Sequence, residues 1–152
     1  MSAAPSPVPD HREEARALAE LVGGDHRAAY ELVERQLGVL VLRTQVLLSL
    51  SGIVITVTGF SGRAIAQSGA AARYSITAGI LIVLAAALTA IGGVLRLRWL
   101  SQTLGADARE TLERGLALRD QKARFLAVSM VLFGLGFAGY CIAIAQLLID
   151  PF

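Results

Sequence analysis

The sequence predicts an all-α integral membrane protein, with three transmembrane helices extended into a cytoplasmic helical bundle. Hydrophobic residues make up 55% of the 152 positions and charged residues only 17%, too apolar a balance for an ordinary water-soluble domain. Asp, Glu, Lys and Arg are absent from three runs, 44–62, 74–95 and 125–149, which hold 19, 22 and 25 residues. At about 1.5 Å per residue, roughly 20 apolar residues cross a hydrocarbon core about 30 Å thick. Finally, the prolines fall at positions 5, 7, 9 and 151, so nothing between them must break a helix. A soluble bundle is disfavoured, because water would face very few polar residues over about sixty positions.

The elements follow in order. Residues 1–10, "MSAAPSPVPD", are rich in Pro, Ser and Ala and predict a disordered tail. They lack the apolar stretch of a signal peptide. Residues 11–43 predict cytoplasmic helices: Gly23 and Gly24 end the first, and Asp25 caps the second. Ala29, Val33, Leu37 and Leu40 then recur at helical spacing, so the second helix runs on into the membrane as a stalk.

Transmembrane helix 1 occupies 44–62. Gln45, Ser49, Ser51, Thr56 and Thr58 dilute its apolar run, so it inserts with help from its neighbours. The glycine- and hydroxyl-rich end "TGFSGR" resembles a phosphate loop only superficially, since no GK[ST] follows. It reads as a helix exit into an external loop over 63–73. Transmembrane helix 2 occupies 74–95.

Residues 96–124 predict a cytoplasmic helical hairpin. Gly105 closes the helix leaving the membrane, and Asp107 with Glu110 has the spacing of a capping box. Leu104, Ala108, Leu112 and Leu116 form an apolar stripe. Arg109 with Glu113, Glu110 with Arg114, and Asp120 with Arg124 are spaced for i,i+4 contacts. Transmembrane helix 3, 125–149, continues the same helix, giving about 60 Å of helix from 108 onward at 1.5 Å per residue.

Orientation follows from the basic residues. Twelve of the 14 Lys and Arg lie in the N-terminal segment and the 96–124 connection, and only Arg63 and Arg73 lie between the first two spans. The positive-inside rule therefore puts the N-terminus in the cytoplasm and the C-terminus outside.

Catalytic chemistry has little to work with. His11 and His26 are the only histidines, and neither has a metal-ligand spacing beyond a weak pairing of His11 with Glu14. No Ser/His/Asp arrangement has a supporting logic. Cys141 is the only cysteine, so a disulfide within the chain is excluded and the residue reads as packing. The spans carry no Asp, Glu, Lys, Arg or His, which disfavours an ion-coupled carrier. The chain is expected to be no enzyme and to need no cofactor, metal or nucleic acid.

Association is the better-supported theme. Small residues recur at helical spacing at Gly52 and Thr56, at Ala85, Thr89 and Gly93, at Gly134 and Ala138, and at Gly139 and Ala143. Such faces let helix backbones approach closely inside a bilayer. Ser49, Gly52, Thr56, Gly59 and Ser61 could alternatively line a pore in an oligomer. Arg96, Arg98 and Trp99 in "RLRWL" suit a headgroup-level anchor to anionic lipid, and Tyr74 and Phe125 mark other interfaces.

The last candidate is "RDQKARFL", where Arg119, Asp120, Lys122 and Arg124 gather before the third span, as a positive-inside flank or as a lipid or ligand contact. The Asp-x-Lys-Ala pattern at a membrane entry resembles one in small bacterial multi-pass effectors of the Pycsar transmembrane type, and the hairpin-like layout is similar to SLATT-domain proteins. The resemblance implies a bacterial inner-membrane protein that oligomerises and impairs the membrane after a nucleotide signal. Taken with the residues themselves, the expectation is a self-associating or partner-binding membrane module, with an oligomeric pore or membrane-perturbing effector as the alternative. Its partners would be membrane lipids and either a second copy or a helical membrane protein.

Overall fold

A computed structural model describes residues 11–67, 69–95 and 107–149. Its elements are α1 (His11–Leu21), α2 (His26–Phe60), α3 (Gly62–Gln67), α4 (Ala70–Gly93) and α5 (Ala108–Ile149), with no strand among the described residues. Three helices, α2, α4 and α5, are long and apolar enough to cross a membrane. The tail 1–10, the residues 96–106 that include Leu104 and Gly105, and the C-terminal 150–152 lie outside the described residues.

Local signals set the helix ends. Gly23 adopts φ 69° and Gly24 φ 85°; the Gly24 N–H donates to the Ala19 carbonyl at 2.7 Å and that of Gly23 to Glu20 at 3.1 Å. These two bonds are a Schellman closure, which needs a left-handed residue that glycine adopts without strain. Asp25 then caps α2, its Oδ1 accepting from the backbone N–H of Arg27 at 2.9 Å and of Ala28 at 3.3 Å. At the start of α5 the Asp107 carbonyl accepts from both the N–H and the hydroxyl of Thr111.

The expected loop over 63–73 requires correction. Most of it is helical: α3 covers Gly62–Gln67 and α4 begins at Ala70. Ala64, Ala66 and Ala70 to Ala72 favour helix strongly, and Ser61 stays bonded on both sides, its N–H to Val57 and its carbonyl to Ile65. Gly69, extended at φ −59° and ψ 155°, marks the break before α4.

The described chain forms two compact units. The first comprises α1, α2 through Val39 and α5 through Lys122. Its core holds Ala15, Ala29, Val33, Leu37, Leu112 and Leu116, all buried. A Cβ on Gly115 would lie 3.5 Å from Val33 Cγ1, so α2 and α5 meet closely there. Of the stripe expected on α5, Leu112 and Leu116 are buried and Ala108 is exposed.

The second unit contains α2 from Leu40, α3, α4 and α5 from Ala123. Each long helix buries a seam in alternating steps of three and four: Thr44, Leu47, Ser51, Val54 and Thr58 on α2; Ile76, Gly79, Val83, Ala86 and Ala90 on α4; Leu126, Ser129, half-buried Phe133, Gly136, Tyr140 and Ala143 on α5. A strict seven-residue repeat of this kind is the signature of left-handed, coiled-coil-like packing.

What the seams contain is also informative. Many buried positions are small or hydroxylic, while large apolar side chains point outward, including Val46, Leu50, Ile53 and Phe60 on α2, Leu81 and Leu88 on α4, and Val131, Leu135 and Ile142 on α5. A water-soluble bundle places its large apolar residues the other way. The buried hydroxyls are satisfied locally: Thr44, Ser51, Thr58 and Ser129 each donate to the carbonyl four residues back, at 2.7–2.8 Å.

Candidate functional site

The candidate residues before the third span divide between two roles. Arg119 is largely buried, its side chain 18% exposed, and it is fully engaged. Its Nη1 donates to Glu14 Oε1 at 2.8 Å and Gln36 Oε1 at 3.0 Å, and its Nη2 to Glu14 Oε2 at 3.1 Å. Nε reaches Asp120 Oδ1 at 2.8 Å, and Nη2 lies 2.7 Å from the same oxygen. All three guanidinium nitrogens, which carry five N–H donors, are thus in contact with acceptors. Burial alone would lower the Arg119 pKa; the hydrogen bonds to Glu14 and Asp120, with their charges, outweigh it and raise the group above its ordinary value.

The second carboxylate oxygen of Asp120 meets His11 Nε2 at 3.3 Å. The i,i+4 expectation for Asp120 with Arg124 is therefore replaced by His11 on α1 and the adjacent Arg119. By contrast the expected pairs Arg109 with Glu113 and Arg114 with Glu110 are present, at 3.3 and 2.6 Å. Lys122 is half-buried and Arg124 exposed. Arg96, Arg98 and Trp99, the expected lipid anchor, lie outside the described residues.

No group of three or more His, Cys, Asp or Glu residues that could hold a metal occurs among the described residues. Two open clefts lie in the first unit. One, about 330 Å³, is lined by Ala15, Arg16, Ala19, Glu20, His26, Arg109 and Leu112. The other, about 370 Å³, has Arg12, Arg16, Asp107, Arg109, Glu110 and Glu113, its cations matched by as many acids. Tyr30, on α2 of the same unit, has its phenol pKa raised by burial and then by the charge of Glu34.

The chain matches no protein-family model, no curated protein and no solved structure. Its own geometry therefore carries the functional reading.

The small residues expected to pack sort clearly. Ala143 is buried, Gly139 and Thr89 are half-buried, and Phe125 covers Gly93. Gly52, Thr56, Ala85, Gly134 and Ala138 are exposed, and no atom outside the local helix comes within 4 Å of a Cβ built on Gly52 or Gly134. The closest helix crossing uses two glycines outside the expected set, Gly79 and Gly136. Small-residue spacing does not single them out: Gly136 stands between Gly134 and Gly139, and Gly79 lies early in the 74–95 run after Thr77 and Ala78.

On α2 the exposed residues include a second, outward stripe. Gln45, Ser49, Gly52, Thr56 and Gly59 follow one another in steps of four, three, four and three. Thr56 turns its hydroxyl back to the Gly52 carbonyl at 2.8 Å, and the stripe is small and polar in the midst of a membrane-length apolar helix.

Proposed function

We propose that this chain is a non-enzymatic, multi-pass inner-membrane protein that acts as a self-associating or partner-binding membrane module. In this reading α2, α4 and α5 cross the bilayer, with the N-terminus and the basic connection on the cytoplasmic side. The outward stripe Gln45, Ser49, Gly52, Thr56 and Gly59 on α2 is the observation that carries it. Gln45, at the entry of the 44–62 span, offers an amide to a partner there, and lipid tails fill the notch above two glycines less closely than another helix does. A second helix satisfies both, and small-residue faces are where helices approach in membranes.

The test is native sizing in mild detergent, with chemical cross-linking in membranes, of the wild type and of Gly52→Leu combined with Thr56→Leu. An oligomer or hetero-complex that dissociates in the variant is the expected result. A monomer without any partner in both would sink the proposal.

The same stripe favours one alternative, an oligomeric pore or membrane-perturbing effector, because Gln45 and Ser49 add hydrogen-bonding groups to a face that would surround an axis. A nucleotide-triggered form of that activity is the version that the resemblance to bacterial membrane effectors implies. Dye release from liposomes, with and without cyclic nucleotides, separates the two: sealed liposomes under all conditions leave the association module.

A further inference from the structure

We propose that α1 is an electrostatic latch, a helix held on α5 by charge pairs and released as a unit by ionic strength, uncovering the α5 face around Leu112 and Arg119. Two ion pairs and one hydrogen bond join the two helices: Glu14 with both terminal nitrogens of Arg119 at 2.8 and 3.1 Å, Arg12 with Glu113 at 3.8 Å, and His11 Nε2 with Asp120 Oδ2 at 3.3 Å. Apolar docking is meagre beside them. Ala15 is the one fully buried residue of α1, with Leu18 and Ala19 half-buried beside it, so the helix sends no large side chain wholly into the core.

Packing next to Ala15 is incomplete as well. The cleft of about 330 Å³ opens where Ala15 and Ala19 of α1 meet Leu112 and Arg109 of α5. An interface closed by large apolar side chains would fill such a space. At its far end α1 stops at Gly23 and Gly24, both at positive φ with open space around them. Two adjacent glycines leave the chain free to swing there with no side chain to unpack.

The rest of the unit does not depend on α1. Val33 packs on Gly115, and Ala29, Leu112 and Leu116 are at most 1% exposed, so α2 and α5 keep their own apolar contact when α1 leaves. Interactions between charges weaken as salt rises, most at the exposed Arg12–Glu113 contact and less at the partly buried Glu14–Arg119 pair, whereas contacts of this apolar kind do not. Ionic strength is thus the variable that separates the latch from its seat.

Hydrogen exchange on the full chain in mild detergent tests this at about 0.1 M and about 1 M salt, where the screening length falls from about 10 to about 3 Å. The amides of 11–21 are expected to exchange about tenfold faster at high salt, while those of 108–122 stay protected, as for a locally opening segment. Glu14→Arg and, at a more exposed contact, Arg12→Glu should each open α1 already at low salt. Glu14→Arg combined with Arg119→Glu should close it again. Exchange of 11–21 that ignores both salt and charge reversal overturns the proposal, as does simultaneous opening of 108–122, which would make α1 an integral part of the unit.

Discussion

Gly79 and Gly136 bring the backbones of α4 and α5 into direct contact: a Cβ added to Gly136 would lie 2.9 Å from the Gly79 carbonyl oxygen, and one added to Gly79 3.0 Å from that of Gly136. Neither neighbour is a side chain that can rotate away. Gly136→Leu or Gly79→Val is therefore expected to force the helices apart and destabilise the second unit by about 1–3 kcal/mol or more. Gly134→Ala, two positions away in open space, is expected to stabilise by about 0.5–1 kcal/mol through helix propensity. Thermal or denaturant unfolding in detergent measures both, and equal losses would contradict the crossing.

The seam hydroxyls of α2 are expected to be needed for their size more than for their hydrogen bonds. Ser51 donates to a carbonyl of its own helix, that of Leu47, so Ser51→Ala should cost under about 1 kcal/mol. Ser51→Leu should cost about 1–3 kcal/mol by overpacking a position that is 1% exposed. A reversed order in the same unfolding assay would show that the hydroxyl bonds across helices.

Replacing Arg119 should be severe and should not be repaired by lysine. Arg119→Ala leaves Glu14 and Asp120 without their shared cation, and Arg119→Lys restores charge without the five-donor fork. Destabilisation of about 1–3 kcal/mol is expected for either, less than for a wholly buried pair because Glu14 is partly exposed. The pH sign is definite. A base whose pKa is raised on folding stabilises fully below its unfolded value, which for arginine is strongly alkaline, and loses that only above it, so the arginine keeps its contribution throughout the neutral range. Near-UV circular dichroism with a melting curve at neutral pH checks the variants; full rescue by lysine would argue against the fork.

Tyr30 gives an alkaline signature. Burial and Glu34 raise its pKa above 10.0, so the unfolded phenol gives up its proton first and stability falls as pH rises past that value. Tyr30→Phe should flatten this part of the stability profile, and Glu34→Gln should move the phenol back toward its ordinary pKa. Phenolate absorbance during a pH titration reads the second effect; no change with Glu34→Gln would remove the charge as a cause.

The helices were legible because their signals are local. Uncharged runs, Gly23 and Gly24 after a helical stretch and Asp25 before the next lie within a few residues of the structures they specify. Over 63–73 the local signals conflict, with Gly62, Arg63 and Gly69 favouring a loop and the alanines favouring helix, and the helix preference prevails over most of it. Arg119 escaped correct pairing for a different reason. Its partners Glu14 and Gln36 lie 105 and 83 positions away, and i,i+4 arithmetic offers only neighbours. Likewise, small-residue spacing found glycines without telling which side of α5 meets α4, so Gly134 was chosen where Gly136 makes the contact.

The repeated seam of α2 leaves its own position along the bundle axis weakly marked. Sliding the helix by seven residues, about 10 Å at 1.5 Å per residue, sets Thr44 where Ser51 stood and Ser51 where Thr58 stood, while Leu47 takes the place of Val54. Hydroxyl lands on hydroxyl, and each of these places changes by one carbon, added where Ser51 and Val54 stood and removed where Thr58 stood. Like a ruler with identical ticks, the 44–58 stretch can be read at two marks, and the contact of Val33 with Gly115, farther along the same helix, sets which one is used.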